Sequence, residues 1–121
     1  MLTSVNEALA YAEGSCIRFV EELKNFIRFP SISTQPDHAD NIKKCAVWLA
    51  NHLQKIDLER VTVVPTQRHP IVYAEWRHRR NHPTVLIYGH YDVQPPEPLH
   101  KWSSPPFEPL IRGGNLYGRG V

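Results

Sequence analysis

The apolar run TVLIYG at residues 84–89 most constrains the fold, because every residue from Val85 to Tyr88 is apolar. A strand with one solvent-facing side alternates apolar and polar residues, whereas a strand buried on both faces is apolar throughout. The run therefore predicts a central strand covered on both faces. Two earlier stretches rich in β-branched and aromatic residues, 60–66 and 71–78, predict further strands.

A long amphipathic helix is predicted over residues 4–29, where apolar side chains recur every three or four positions. Ser4 followed by Glu7 three positions later is typical of a capping box at the start of a helix. Gly14 favours a kink or break inside this helix. Pro30 ends the helix, because the residue before a proline avoids helical geometry.

A second amphipathic helix is predicted over residues 40–56, with Asp37 or Asp40 as its N-cap. The loop of serine, threonine and proline at 30–39 is interpreted as a connection rather than part of a site. Helices combined with a buried strand indicate the α/β class, with helices covering a mixed sheet. The inner face of the second helix is predicted to contain its apolar residues at helical spacing, Ile42, Cys45, Leu49, Leu53 and Ile56.

Charge and cysteine content exclude several classes of protein. Lysine and arginine number 14 and aspartate and glutamate 12, a net charge of +2 that does not favour a nucleic acid partner. Arg77, Arg79 and Arg80 leave a basic nucleic-acid binder as a hypothesis, although they fit a solvated turn better. Cys16 and Cys45 show no zinc-binding or disulfide spacing, so both are predicted to be buried free thiols.

The amino-terminal residues 1–16 do not resemble a signal peptide, because they lack a basic start and contain Glu7 and Glu13. No apolar run approaches the length of a membrane span. A cytoplasmic protein without a membrane partner is therefore expected.

His90 and Asp92 follow the apolar run directly. In open α/β sheets the ligand crevice lies beyond the carboxyl ends of the strands. Residues two apart in an extended chain project to the same side, so both side chains can face one cavity. Imidazole binds zinc well, and a ligating histidine usually donates its other N–H to a carboxylate. The spacing alone also fits a surface histidine beside an unrelated aspartate.

Three motifs together make the pattern specific: VLIYGHYDVQP at 85–95, WSSPPFEP at 102–109 and LYGRG at 116–120. In this order and spacing they resemble the opening part of the di-zinc metallopeptidase and deacylase family. That family includes acetylornithine deacetylase, succinyl-diaminopimelate desuccinylase, carboxypeptidase G and carnosinase-type cytosolic dipeptidases. The residues of the first two motifs most resemble the dipeptidase branch, and the resemblance extends over the whole chain.

The resemblance implies that His90 is a ligand to zinc and that Asp92 is the catalytic-site carboxylate that orients it. It also implies two zinc ions, with cobalt or manganese as alternatives, and a zinc-activated water that attacks a peptide or amide bond. The implied substrate is a small peptide or an N-acyl amino acid, and complete members of the family include homodimers. No nucleic acid or membrane partner is implied.

On the family pattern, residues 1–121 form an incomplete amino-terminal portion of the catalytic domain. The other metal ligands and the glutamate base would lie further on, so the chain alone is expected to be inactive. The alternative is a truncated, non-catalytic interaction module that keeps only the opening segment of the fold.

Four residues in the proline-rich loop have weaker assignments. Glu97 and Glu108 are the local carboxylates, but they flank prolines and fit solvated or structural roles. Trp102 and Phe107 fit either a wall of the substrate cleft or anchors that hold the loop to the domain surface. No catalytic role is predicted for any of them.

The glycines near residue 121 are assigned to backbone geometry. Gly113 and Gly114 are predicted at the turn of a β-hairpin. Gly118 and Gly120 are predicted to permit a tight backbone conformation rather than to take part in chemistry.

Overall fold

The computed structural model describes residues 4–121, in which three helices are followed by two pairs of strands. The α/β class expected from the sequence is confirmed. Short 3-10 turns lie at Pro36–His38 and Leu99–Lys101. The main elements are α1 (Val5–Gly14), α2 (Cys16–Ile27), α3 (Ala39–Lys55), β1 (Glu59–Val64), β2 (Ile71–Glu75), β3 (Leu110–Arg112) and β4 (Asn115–Tyr117).

The first predicted helix is divided into α1 and α2 at Ser15, which has φ −107° and ψ 3°. The break lies directly after Gly14, as predicted. The capping box is also confirmed, because the Ser4 side chain accepts from the Glu7 N–H at 3.3 Å and the Glu7 carboxylate accepts from the Ser4 N–H at 3.0 Å. Helix α1 buries none of its residues, and its apolar residue Leu9 is 56% exposed.

Helix α3 supplies most of the buried core. Its buried residues are Ile42, Cys45, Ala46 and Ala50, whereas Leu49 and Leu53 are half-buried. Cys45 is thus a buried free thiol as predicted, whereas Cys16 is free but exposed, because it lies at the start of α2. Ile56 was predicted on the same face, but it is the C-cap and is 50% exposed. The helix has ended there, so the helical spacing no longer determines where this side chain points.

Neither aspartate predicted as the N-cap of α3 has that role. The N-cap is His38, which makes no side-chain capping hydrogen bond. Asp37 lies within the preceding 3-10 turn, and Asp40 lies in the first turn of α3. The turn leads directly into the helix, and Asp40 still places negative charge near the positive end of the helix dipole.

Packing among these elements joins the helices to the first sheet. Phe26 of α2 stacks on Trp48 of α3 with ring centroids 5.4 Å apart. Helix α3 also packs against β1 and β2. These strands are antiparallel, with Val63 opposite Val72, and a bulge interrupts the ladder near Glu59. Helix α3 is therefore in contact with both α2 and the β1–β2 pair, and the buried residues outside it include Ser31 and the core residues Ile27 and Ile32.

Residues 84–89, predicted as a central buried strand, do not pair as a strand within the described chain. The four apolar residues from Val85 to Tyr88 are 79–90% exposed. A strand buried on both faces needs hydrogen-bonded neighbours and covering layers. Among residues 4–121 no strand pairs with this segment, because the two sheets consist only of β1 with β2 and of β3 with β4. The described residues thus form two antiparallel strand pairs instead of the expected mixed sheet.

Strands β3 and β4 form the hairpin predicted near the end of the sequence. Gly113 and Gly114 occupy its two-residue turn with φ of +57° and +79°. Positive φ at both central residues is the requirement of a tight hairpin turn, which glycine meets without strain. Across residues 4–121, none of the helices is both long enough and apolar enough to cross a membrane.

Candidate metal site

His90 and Asp92 follow the apolar segment, and their side chains are in contact. His90 Nδ1 lies 3.0 Å from Asp92 Oδ1 and 3.0 Å from the main-chain oxygen of Asp92. Both neighbours are acceptors, so Nδ1 carries the proton and donates it. In a neutral ring Nε2 then keeps a lone pair, which is the form that binds a metal. The structure thus brings the two predicted site residues together, and their roles at a metal remain predictions.

Asp92 is held from its other side by the loop that precedes α3. Ser33 Oγ donates to Asp92 Oδ2 at 2.5 Å, so each carboxylate oxygen has its own donor. The Ser33 hydrogen bond is the main reason that the pKa of Asp92 lies below its ordinary value. Partial burial opposes this shift, and the hydrogen bond from His90 adds to it. The carboxylate is therefore favoured in its charged form.

The same loop pairs with the backbone around Asp92. Ile32 forms an isolated parallel bridge with Val93, whose N–H donates to the Ser31 carbonyl at 3.0 Å. Ser31 Oγ donates to the carbonyl of Tyr91 at 2.8 Å. Ser31 and Ile32 are each 2% exposed. The loop therefore fixes the backbone on both sides of Asp92.

Two further side chains fix this arrangement to the turn before β2. The Tyr91 hydroxyl donates to the carbonyl of Pro70 at 2.5 Å. His69 Nε2 donates to the carbonyl of Ser33 at 2.8 Å. Burial, followed by the nearby Cys45 and Asp92, raises the pKa of Tyr91, so its hydroxyl stays protonated and continues to donate.

From the sequence, residues 30–39 fit a simple connection, and neither Ser31 nor Ser33 is indicated as part of a site. The one available signal was their spacing. Residues two apart in extended chain project to the same side, and the structure directs both hydroxyls to residues 91–92. A serine pair at this spacing is too common to predict a site without the tertiary contacts.

An open cavity of about 360 Å³ adjoins the histidine and aspartate. Its lining includes His90, Asp92 and Phe26, together with Arg119 and Gly120 from the turn after β4. Glu97 and Glu108 are exposed and do not line it, in agreement with their expected solvated roles.

Trp102 also lies outside the cavity lining, and its contacts fit an anchor of the proline-rich loop. Its indole N–H donates to the carbonyl of Pro96 at 2.7 Å. The Arg119 guanidinium lies over the Trp102 ring, 5.1 Å from its centroid. Phe107, the other predicted aromatic, is half-buried and does not line the cavity either.

Gly118 and Gly120 permit a close approach between the last turn and the site. A Cβ at Gly118 would lie 2.9 Å from Ile27 Cγ2, and one at Gly120 would lie 2.8 Å from Val93 Cγ1. Gly120 also has φ +100°. Backbone geometry, as predicted, explains both glycines.

The donors present fit one histidine ligand of a zinc ion. An imidazole whose Nδ1–H is bound to a carboxylate is the usual arrangement of a zinc-ligating histidine. Within residues 4–121 no group of three or more histidine, cysteine, aspartate or glutamate side chains could hold a metal. The described residues therefore contain one oriented candidate ligand and no complete metal site.

Residues 86–121, which include His90 and Asp92, match the model of the peptidase family M20/M25/M40. Human carnosine dipeptidase 1 is similar in structure, with a TM-score of 0.85 and 29% identity over 95% of this chain. In this segment the chain is similar to the M20 peptidase family. The resemblance predicted from the sequence, including its dipeptidase-like character, is thereby confirmed.

A second solved structure is similar to this chain in fold. The dipeptidase Dug1p from Saccharomyces cerevisiae has a TM-score of 0.81 and 24% identity over 90% of this chain. The chain spans about a quarter of each of these M20-like structures, 26% in both cases.

Proposed function

We propose that this chain supplies a zinc-binding histidine and its orienting carboxylate to a hydrolase of peptide or amide bonds. The main supporting observation is the hydrogen bond from His90 Nδ1 to Asp92 Oδ1, which lies within the matched M20 segment. A small peptide substrate is supported by the names of the two similar structures, both dipeptidases. An N-acyl amino acid is the alternative, and it is implied only by the family resemblance of the motifs.

In this proposal His90 would hold the metal through Nε2. Asp92 keeps the proton on Nδ1 and increases the basicity of the ring, because its negative charge lies next to that proton. Zinc, when bound, polarises a carbonyl and lowers the pKa of water, and the family resemblance implies two such ions. Cobalt or manganese are alternatives, because one imidazole does not discriminate among these metals.

We propose that the 121-residue chain is inactive by itself. A catalytic zinc site needs three protein ligands, and residues 4–121 contain no group of three candidate side chains. The remaining ligands and the general base would come from outside the described residues, as expected if residues 1–121 form part of a larger catalytic domain. A cytoplasmic location and a homodimer of the complete protein belong to the same proposal.

The ligand role of His90 is tested by adding Co²⁺ to the 121-residue chain and following the histidine signals by NMR. Paramagnetic broadening is expected to be strongest at Nε2 of His90 and to disappear in His90→Gln. The matched control is His100→Gln, because His100 is exposed on the distant 3-10 turn. Broadening centred on another residue in the wild-type chain would contradict the assignment.

The expected inactivity is tested with the purified chain, a series of dipeptides and added Zn²⁺. No hydrolysis above that of Zn²⁺ alone is expected. Zinc-dependent hydrolysis that is abolished by His90→Gln would show that the described residues complete an active site and would refute the proposed inactivity.

A non-catalytic interaction module remains the second candidate, and one observation favours it. Residues 85–88 present a continuous apolar segment that is 79–90% exposed, which is typical of a surface that binds another chain. A monodisperse 121-residue chain with a sharp cooperative melt would favour the module. Aggregation of the isolated chain would favour a segment of a larger hydrolase.

A further inference from the structure

Two serines of the loop before α3 face the candidate site, and their hydroxyls have different partners. Ser31 Oγ donates to a main-chain oxygen, the carbonyl of Tyr91. Ser33 Oγ donates to a side chain, the Oδ2 atom of Asp92. The first contact fixes the backbone, whereas the second fixes the orientation of a carboxylate.

The Ser33 contact restricts how the Asp92 carboxylate can turn. With Oδ2 bound to Ser33, Oδ1 is the oxygen that faces His90 Nδ1 at 3.0 Å. Without that donor, the carboxylate could rotate about its Cβ–Cγ bond, because this terminal torsion is broad and has no steep minima. Oδ1 would then leave the position in which it accepts the His90 proton, and the main-chain oxygen of Asp92, also 3.0 Å from Nδ1, would be the acceptor that remains. The preference for the Nδ1–H form would therefore be weakened rather than abolished.

Ser33 is itself well placed to act as a fixed donor. Its carbonyl accepts a hydrogen bond from His69 at 2.8 Å. The neighbouring Ile32 is 2% exposed and pairs with Val93. Ser33 is therefore held from both sides, and little conformational freedom is lost when its hydroxyl binds the carboxylate.

We propose that Ser33 is a positioning residue that holds Asp92 so that His90 stays protonated on Nδ1 and presents Nε2 to a metal. This inference rests on the proposed function, in which His90 is a zinc ligand. Ser33 does not touch the metal or the substrate. It acts on His90 through Asp92, and its hydroxyl rather than its size is the feature required.

The test is the tautomer of His90, read from its ring nitrogen chemical shifts in the 121-residue chain at about pH 8.5, where histidine is neutral. The wild-type ring is expected to be mainly in the Nδ1–H form. Ser33→Ala is expected to lower the ratio of Nδ1–H to Nε2–H by about two- to tenfold, the change in an equilibrium that corresponds to the loss of one ordinary hydrogen bond.

Two further variants separate the hydroxyl from the shape of the side chain. Ser33→Thr keeps the hydroxyl and is expected to retain the wild-type ratio, whereas Ser33→Val has nearly the same shape as threonine and is expected to behave like Ser33→Ala. This pair also replaces Ser33→Ala if that variant fails to fold. Ser31→Ala is the matched control, because its hydroxyl binds the Tyr91 backbone and its loss is expected to leave the tautomer ratio unchanged.

An unchanged ratio in Ser33→Ala and Ser33→Val would overturn the inference, as would a wild-type ring mainly in the Nε2–H form. An equal loss in Ser31→Ala would also overturn it, because that result indicates a general loosening of the loop. Co²⁺ broadening of His90 distinguishes the two proposals. If the tautomer depends on Ser33 but Co²⁺ does not broaden Nε2, the zinc-ligand assignment fails while the Ser33 dependence stands.

Discussion

Replacing a glycine by alanine can destabilise the fold in two ways, by backbone strain and by steric overlap of the added methyl group. Four glycines of this chain differ in which of these two effects applies. Gly120 has both, with φ +100° and a would-be Cβ contact of 2.8 Å to Val93. Gly118 has only the overlap, at 2.9 Å from Ile27. Replacement of each glycine by alanine therefore gives a set in which the two costs can be compared.

The two remaining glycines complete the set. Gly114 has only the strain, because its φ is +79° and nothing lies within 4 Å of a Cβ. Gly89 has neither a positive φ nor a neighbour within 4 Å. Gly89→Ala is therefore the reference for the effect of an added methyl group on the unfolded chain.

The expected losses of unfolding free energy follow from the two costs. Gly114→Ala should cost about 1–2 kcal/mol, the penalty for an L-residue in left-handed geometry. Gly118→Ala should cost about 1–3 kcal/mol, because the Ile27 methyl group it meets belongs to a β-branched side chain that is 5% exposed and cannot move aside. Gly120→Ala combines both and should cost about 2–5 kcal/mol.

Urea unfolding followed by circular dichroism measures these differences. Gly89→Ala should be neutral or stabilising by less than about 1 kcal/mol, because alanine restricts the unfolded chain. Adding Val93→Ala to Gly120→Ala should recover the part of the stability loss that comes from steric overlap, but not the part that comes from backbone strain. A Gly120→Ala chain as stable as Gly114→Ala, or no recovery with Val93→Ala, would refute the assignment of the overlap.

Three further predictions concern the core, the thiols and the exposed apolar segment. Ile42→Val should lower the free energy of unfolding by about 0.5–1.5 kcal/mol in the same urea assay, because Ile42 is fully buried. Val47→Ala, at a half-exposed position, should change it by less than about 0.5 kcal/mol. Equal effects of the two substitutions would contradict the assigned core. Burial raises the pKa of Cys45 from 9.0 to about 11, so its alkylation near pH 8 should be about 100-fold slower than that of the exposed Cys16. Rapid alkylation of both thiols in the folded chain would exclude the burial of Cys45. The folded state holds the Cys45 proton up to a higher pH than the unfolded state does, so the free energy of unfolding should fall as the pH rises from 9.0 to about 11. Leu86→Lys should reduce aggregation in sedimentation experiments, because Leu86 is 90% exposed within an apolar segment. Unchanged sedimentation would indicate that this segment makes no contact between molecules.

Local sequence signals predicted the helices well. The capping box at Ser4 needs only residues within one turn, and the break after Gly14 reflects the low helix propensity of glycine. The hairpin at Gly113 and Gly114 is equally local, because two consecutive glycines supply the positive φ that its turn requires. In each case the deciding interactions lie between residues that are close in sequence.

Predictions failed where the outcome depended on neighbours in space. The run from Val85 to Tyr88 has the composition of a buried strand, but a strand also needs partners, and none pairs with it within residues 4–121. Ile56 follows the helical spacing, yet the helix ends before it. Composition predicts what a segment is suited to, whereas pairing and burial depend on the rest of the fold.

The sequence by itself determined the α/β class, the capping box and the break of the first helix, the glycine turn of the hairpin, the peptidase-like motifs and the proximity of His90 and Asp92. The tertiary structure alone showed Ser33, because 59 residues separate it from Asp92 in the chain and no local pattern links them. It also explained Gly120, whose missing side chain leaves room for Val93. A hydrogen bond or a close approach between distant segments depends on how the chain brings them together, and that information appears only in the folded molecule.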